Sequence, residues 1–344
     1  MLSQIKFLNC RLLADLTLPL EKRTVVLGNN GTGKSTVIEA LRLLSIGKSF
    51  RTSRLDEMIS FDRPYFRLTT KREDHQQEIV DFFYGQAFSE NPVRERALNV
   101  NGKTLSFLDW VGRLPSVLFV PSDIEVVIGM PQVRRKYIDG VLWQVDAEFR
   151  EQFLDLNRVL RERAALLFSI KIHRAGLDEL QPWSELLVKL SQSIRSKRLA
   201  YTDYIKERLT SSTFQTKTKL QFQIQYQVTV EDITSVQDQE IKLAQNLYGP
   251  HRDEIEIVLN DRSARKFASR GQARTAVVLL KVIETQYLAD RLEKPPIILL
   301  DDVFSELDQE NSQFLFSHLS DQSQIVATSI ENNSLLTGWS VIQL

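Results

Sequence analysis

Alternation of apolar and polar residues opens the chain. "IKFLN", "LTLPL" and "TVVLG" either alternate with a period near two or form a short apolar run, so each reads as a β-strand. "VIEALRLLS" shifts to helical spacing, and a loop and helix are expected from Gly28 to about Leu44. "YFRLTTKRE", "QQEIVDFFYG", "RALNVNG" and "KTLSF" return to alternation and suggest antiparallel strands. Asn101-Gly102, between the last two, favours positive φ at both turn positions and predicts a tight hairpin. "SVLFVPS" is a buried strand ended by Pro121.

The texture changes near residue 123. From there to about 212, Gly and Pro are sparse and the spacing is helical. Phe149, Phe153, Leu156, Leu160 and Leu167 keep to one face, and Trp183, Leu187, Leu190, Ile194 and Tyr201 to another, with a break at Gly176 to Pro182. This predicts a helical lobe with an antiparallel pair, its aromatics serving as core. The apolar stripe lasts only about three heptads, short for a coiled-coil arm. Strand texture resumes at "KLQFQIQYQVTV" and "DEIEIVLN". A helix from about Gln272 to Leu292, a buried strand "PPIILLDD" and a final core strand "SQIVATS" follow. The expected division is 1–122, the N-terminal half of a head; 123–212, an inserted helical lobe; and 213–344, the C-terminal half of the head.

Composition narrows this picture. The 344 residues suffice for two domains or one α/β domain with an insertion. Lys plus Arg equals Asp plus Glu at 44 each, so attraction to nucleic acid must come from a local patch. Cys10 is the sole cysteine, which excludes an internal disulfide and fits a reducing compartment. No apolar run reaches bilayer length and the N-terminus lacks a signal-peptide pattern, so a cytoplasmic protein with no membrane partner is expected. A transporter's nucleotide-binding subunit stays open on these numbers.

"GNNGTGKST" carries the first chemistry. Gly28, Gly33, Lys34 and Ser35 fit G-x-x-x-x-G-K-[ST], with Asn29, Asn30, Gly31, Thr32 and Thr36 completing the loop. The glycines let backbone N–H groups curl around phosphates, and the following helix adds its N-terminal dipole. Lys34 is expected to reach the β- and γ-phosphates of ATP, and Ser35 to ligate Mg²⁺. The strand "IILLDD" supplies carboxylates: Asp301 as the magnesium partner and Asp302 to polarise the attacking water. Ser269 and Gly271, in "FASRGQARTAVVLLKVIE", open an amphipathic helix whose start suits a γ-phosphate or is simply Ser-capped. Because Lys34 and Ser35 already fill that role, the second phosphate-binding start makes sense for a partner's nucleotide. Asp308, in "VFSELD", is expected at the same interface. At the end of the last core strand, "QIVATS", stands Thr328 or Ser329, a place where ATPases resembling the ABC type often carry His.

Together "GPHRDEIEI", "SRGQARTAVVLLK", "LLDDVFSELD", "LFVPSDIEVVIGMPQVRRKYID" and "KSFRTSRLDEMI" resemble the bacterial RecF family in order and spacing, over nearly the whole chain. The resemblance implies an α/β fold: a P-loop NTPase of the ABC/SMC-head type with mixed sheets and an inserted helical lobe, without long coiled-coil arms. It implies a cytoplasmic ATPase of recombinational repair and replication-fork maintenance. Such a protein dimerises with ATP on gapped DNA, works with RecO and RecR to load RecA, and is linked to the SOS response. Arg270 replaces the uncharged residue expected in the signature. Asp302, in place of the Glu of many ABC-type heads, has a shorter reach, and slow, switch-like hydrolysis is expected.

Three basic clusters are candidate DNA contacts: Lys48, Arg51 and Arg54; Arg134, Arg135 and Lys136; and Arg195, Lys197 and Arg198. The first is preferred because it lies just beyond the P-loop helix. Arg252 and Asp253 are expected to order structure near the nucleotide. The rivals are a transporter ATPase subunit, an ATP-gated SMC-like DNA-binding protein without significant hydrolysis, and an OLD-type head. "ASRGQ" and "GPHRDE" argue against the first, and the third needs a further metal-binding carboxylate domain. DNA affinity should fall steeply with added salt and depend little on sequence. A titration giving equal affinity at low and high salt refutes this.

Overall fold

Each opening alternation becomes a strand: β1 (Leu2–Cys10), β2 (Leu13–Pro19) and β3 (Arg23–Leu27). The glycine-rich loop leads into α1 (Lys34–Ile46). β4 (Tyr65–Glu73), β5 (Gln77–Gln86), β6 (Arg94–Val100) and β7 (Lys103–Thr104) join β1 and β2 in an antiparallel sheet ordered β2-β1-β4-β5-β6-β7. Asn101 and Gly102 have φ of 50° and 77°, as the hairpin requires. β7 is shorter than "KTLSF", because the Ser106 hydroxyl accepts the Asp109 N–H and starts α2 (Phe107–Trp110). β8 (Ser116–Phe119) follows. The computed structural model describes residues 1–344 except 74–76, 87–93, 211–220, 306, 308, 320–321 and 332–333.

The helical stretch holds α3 (Ile124–Ile128), α4 (Pro131–Val145), α5 (Ala147–Lys171) and α6 (Leu177–Thr210). α5 and α6 pack together through Phe149, Leu156 and Leu167 on one and Leu187, Ile194 and Tyr201 on the other, all buried. The expected break at Gly176 to Pro182 is shorter. α6 starts at Leu177 and contains Pro182 near its N-terminal end, where it lacks the N–H of one helical bond. β9 (Phe222–Gln227), α7 (Gln237–Leu243), β10 (Glu254–Leu259), β11 (Arg262–Ser263), α8 (Ala264–Phe267) and α9 (Arg270–Leu292) come next. β12 (Ile297–Leu300), α10 (Gln309–His318), β13 (Ile325–Ser329) and β14 (Ser340–Gln343) close the chain. β11-β10-β9 is a small antiparallel sheet, and β14-β3-β13-β12-β8 a parallel one. β13 is a core strand, but β14 continues the sheet beyond it as a half-exposed edge.

Two compact units result: Met1–Asp123 with Glu284–Leu344, and Ile124–Ile283. The first division between them lies between Asp123 and Ile124. Compactness groups 221–283 with the helices, because β9 packs on α6 and β10 on α4. In the first unit, α1 is the shared wall of two sheets. Val37, Ile38 and Leu41 join one core with Ile5, Phe7, Phe66 and Phe82 of the antiparallel sheet and Val26, Leu118 and Val326 of the parallel one. Each such side chain stabilises the unit by roughly 1.5–3 kcal/mol on burial. The Trp110 indole N–H donates to the Leu44 carbonyl at 2.6 Å, and Arg42 donates to the Ser116 carbonyl at 2.7 Å, so the helix end is fixed as well.

In the second unit a buried ion network holds the "GPHRDE" block. Arg195 pairs with both oxygens of wholly buried Asp253, which also accepts from the Tyr226 hydroxyl. Burial lowers the neighbouring His251 imidazole from 6.5 to about 4. The unfolded chain therefore binds this proton more readily. Its contribution to stability is complete above about pH 6.5 and is lost as pH falls toward 4. Denaturant unfolding across that window should show a shallower acid-side loss for His251→Gln than for the parent chain. Parallel curves for the two proteins would remove His251 as the cause.

Candidate functional site

The phosphate loop is shaped by close approach and by handedness. A Cβ on Gly28 would lie 2.7 Å from Thr32 Oγ1 and 2.8 Å from the Leu344 carbonyl oxygen, so only glycine fits. Gly31 and Gly33 have φ of 86° and 105°, the left-handed region that glycine enters freely. Thr32 Oγ1 donates to the Asn29 carbonyl at 3.0 Å and ties the loop across its base. Lys34, buried at 6% exposure, donates from Nζ to the carbonyls of Gly28 and Asn29 at 2.6 and 2.8 Å. Asn30, Gly31, Gly33, Lys34, Ser35 and Thr36 line one side of a cleft of about 490 Å³.

β12 and β13 bring the carboxylates to this loop. The Asp301 carboxylate is hydrogen-bonded by the Ser35 hydroxyl and accepts from Thr328 Oγ1 at 2.9 Å. Burial, and then the charge of Asp302, hold the Asp301 carboxyl above its ordinary range, while the Thr328 and Ser35 bonds and Arg51 oppose this. A buried anion beside a hydroxyl is a hard-oxygen pair that suits Mg²⁺, which completes its shell with water and substrate oxygens. Among the described residues no group of three or more His, Cys, Asp or Glu forms a protein-only metal cage. Asp302 takes a left-handed φ of 56°, lines the same cleft and donates its N–H to Thr328 Oγ1 at 2.9 Å. Of the two residues considered for that position, Thr328 faces the carboxylates, whereas Ser329 donates to the Glu331 carbonyl. Asp308 lies outside the described residues.

The rest of the cleft was not read from the sequence. Arg11, Leu12, Arg51, Glu57, Ile59 and Phe61 line it. Glu39, fully buried on α1, organises part of that wall. Arg11 donates to it from Nε and Nη2 at 2.7 and 2.8 Å, Ser49 donates its hydroxyl, and Arg51 Nη1 lies 3.6 Å away. The Arg11 hydrogen bond to Glu39 raises the guanidinium further above its usual range. A signal for Glu39 existed: it is a lone acid among apolar residues on the buried helix.

The basic clusters fare differently. Arg51 belongs to the cleft wall, while Lys48, Arg54 and Lys136 are exposed. Arg134 is corrected as a DNA contact: at 4% exposure it donates to the Gly129 carbonyl and to Glu254 Oε1. Arg135 donates to the Asp253 carbonyl and is partly buried. The third cluster is also structural, since Arg195 pairs with Asp253, Lys197 with Asp146 and Glu148, and Arg198 with Asp139. Asp253 thus orders the second unit internally. Ser269 caps α9 reciprocally, its hydroxyl accepting the Gln272 N–H while the Gln272 side chain accepts the Ser269 N–H. Ser269, Arg270 and Gly271 are exposed, and a Cβ on Gly271 would meet nothing nearer than 4.0 Å.

Residues 1–343 match the family model described as the RecF/RecN/SMC N terminal domain. The chain is 31% identical to the DNA replication and repair protein RecF of Citrifermentans bemidjiense, across 96% of this chain and 94% of that one. It is 29% identical to the protein of the same name from Chlorobium phaeobacteroides, across 96% and 95%. The solved structure of the recombination mediator protein RecF-ATPrS in the RecFOR pathway superposes with a TM-score of 0.89 at 28% identity, covering 100% of this chain and 96% of that one. The Smc head domain of Pyrococcus furiosus shares the fold, with a TM-score of 0.52 at 16% identity over 96% and 89%. The α/β architecture with parallel and antiparallel sheets is therefore that of an ABC/SMC-type head. No helix among the described residues is long and apolar enough to cross a membrane.

Thr328→Val removes the shared hydroxyl at the two carboxylates. It should lower unfolding stability by about 1–3 kcal/mol, because both the Asp302 N–H and buried Asp301 lose a partner. An unchanged urea midpoint would argue against that bridge.

Proposed function

The chain belongs to the RecF family, and from that premise we propose that it is a cytoplasmic, ATP-dependent DNA-binding protein of recombinational repair and replication-fork maintenance. The single observation that carries this reading is the glycine-shaped phosphate loop, with buried Lys34 donating into it and lining one cleft with Ser35 and Asp302. ATP lies along Gly28 to Thr36, with its phosphates on the backbone N–H groups and Lys34 on the β- and γ-oxygens. Ser35 and Asp301 would hold Mg²⁺, which supplies charge neutralisation on the phosphate oxygens. Asp302 orients the attacking water and takes up its proton, and Thr328 fixes the carboxylate pair. The short reach of Asp302 makes hydrolysis weak, and DNA stimulates it.

Two heads share the nucleotides. Ser269, Gly271 and Asp308 of one copy meet the ATP held by another, and the open space above Gly271 leaves room for the γ-phosphate. The ATP-dependent homodimer closes around gapped DNA, single-stranded and duplex, and opens on hydrolysis. The exposed Lys48, Arg54 and Lys136 contact backbone phosphates. RecO and RecR receive the complex to load RecA, with a link to the SOS response. In this reading 1–122 and 213–344 form the head functionally, with 123–212 as its lobe.

Sedimentation of the parent chain and Lys34→Met, with and without ATP and gapped DNA, tests the clamp. The parent should dimerise with ATP and the variant should stay monomeric, with DNA-stimulated turnover reduced at least about a hundredfold. Dimerisation of Lys34→Met equal to the parent's would refute the reading. Dimerisation without any turnover would support the non-hydrolysing alternative.

A further inference from the structure

A groove of about 690 Å³ opens in the second unit, among α5, α6 and α7, and holds none of the residues assigned to ATP or DNA. Leu177, Val188 and Ile233 give it apolar walls, and Leu177 stands 53% exposed. Wholly buried Arg163 forms its back. That guanidinium donates from Nε to Ser184 Oγ at 3.1 Å, from Nη1 to Asn246 Oδ1 at 2.8 Å and from Nη2 to Glu240 Oε2 at 2.6 Å. The three helices are thereby held to one another behind the groove. Glu240 is wholly buried too, so the pair adds no net charge. The rim is acidic. Asp178 and Glu185 line it, and both are exposed. Both stretches that build the walls carry one sign of charge. Residues 177–188 contain Asp178, Glu179 and Glu185 and no Lys or Arg. Residues 231–241 contain Glu231, Asp232, Asp238 and Glu240 and no Lys or Arg. Lys189 and Lys242 follow directly and do not line the groove. Acids and bases balance over the whole chain, so this excess is local.

We propose that this groove is the docking site for a basic amphipathic segment of another protein. One apolar side chain of that segment seats between Leu177, Val188 and Ile233, and Lys or Arg residues on either side of it meet Asp178 and Glu185. Charge complementarity selects this occupant. The acids repel a phosphate backbone, and a neutral segment would desolvate two carboxylates without return. The carboxylates steer the segment in and fix its direction, while burial of its apolar anchor supplies most of the affinity. The walls need no partner to hold them, because the Arg163 bonds already do. Gln181 donates to Glu185 Oε1 at 3.1 Å and orients that carboxylate. Phe168 and Ile172, at the end of α5 that leads toward Leu177, are exposed as well, a setting that suits contact with a protein.

Fluorescence anisotropy on the full chain tests the assignment with three labelled peptides: an amphipathic Lys/Leu peptide, its Glu/Leu counterpart, and a Lys/Ser peptide without apolar residues. The parent should bind the Lys/Leu peptide more tightly than either of the others. Asp178→Asn combined with Glu185→Gln should weaken that binding about fivefold at low salt, and the difference should fade at high salt. Leu177→Ser should weaken it about fivefold at every salt concentration. All three side chains are exposed, so the replacements leave the fold intact. A photoreactive Lys/Leu peptide on the parent chain gives a readout that needs no variant, and should cross-link within 177–188 or 231–241. Equal affinity of the parent and both variants overturns the docking site. So does equal binding of the Lys/Leu and Lys/Ser peptides, a preference for Glu/Leu, or cross-linking elsewhere. Loss of affinity for a labelled DNA strand in Leu177→Ser would assign the groove to nucleic acid and overturn it as well.

Discussion

Burial of α1 between two sheets is the constraint on which the site depends. A helix exposed on one side can roll or slide by small amounts, but one packed on both sides cannot without opening a core. Eleven of its 13 residues are buried, including Lys34, Glu39 and Arg42. The phosphate loop is the direct extension of this helix, so its curvature is set by two sheets at once. Gly28 sits between Thr32 and the carbonyl of Leu344, which leaves the loop no slack at its entry. The loop is a rigid receptor because its foundation is.

The same burial explains where the charges sit. A carboxylate inside an apolar helix must be paired, and Glu39 is paired through both oxygens of its head group. The partners are drawn from outside the helix, so the need to satisfy one buried anion recruits the β1–β2 turn and the segment after α1 to the cleft. Asp301 has an opposite fate. Two hydroxyls reach it, but Asp302 lies next to it, and its carboxyl is held high. Within one unit, one buried acid is satisfied by arginine and another is left short of positive charge. The second is the one suited to a cation.

Strand order and the loop motif were legible because they rest on local rules. The period of two, the Asn-Gly turn and the glycine spacing each act within a few residues, and β4 and the 101–102 turn fall where those rules put them. The length of β7 and the start of α6 depended on competing local bonds, at Ser106 and around Pro182, whose strengths the pattern alone does not rank. The interior arginines of the second and third basic clusters were misread for another reason. Neighbouring basic residues look alike in a sequence, yet Arg134 and Arg198 are interior residues because Glu254 and Asp139 arrive from distant elements to meet them. Sign and spacing of charge are local, whereas pairing is not. Phe61 was unreadable for the converse reason, since a single aromatic next to a turn is ordinary until the fold leaves it uncovered.

Thr328 is wholly buried, and its side chain carries a methyl as well as a hydroxyl. A β-branched side chain is restricted at χ1, so the bonds it makes in a close-packed strand fix its hydroxyl. The hydroxyl has a single proton, and the nearest strong acceptor is Asp301 at 2.9 Å, ahead of the Leu300 carbonyl at 3.5 Å. Its oxygen is then turned toward the Asp302 N–H. The result is a one-way relay of polarity, from the backbone of one aspartate through a locked hydroxyl to the side chain of the other. The left-handed kink at Asp302 is registered against the charge of its neighbour. One buried oxygen atom thus ties the side chain of one aspartate to the backbone turn of the next.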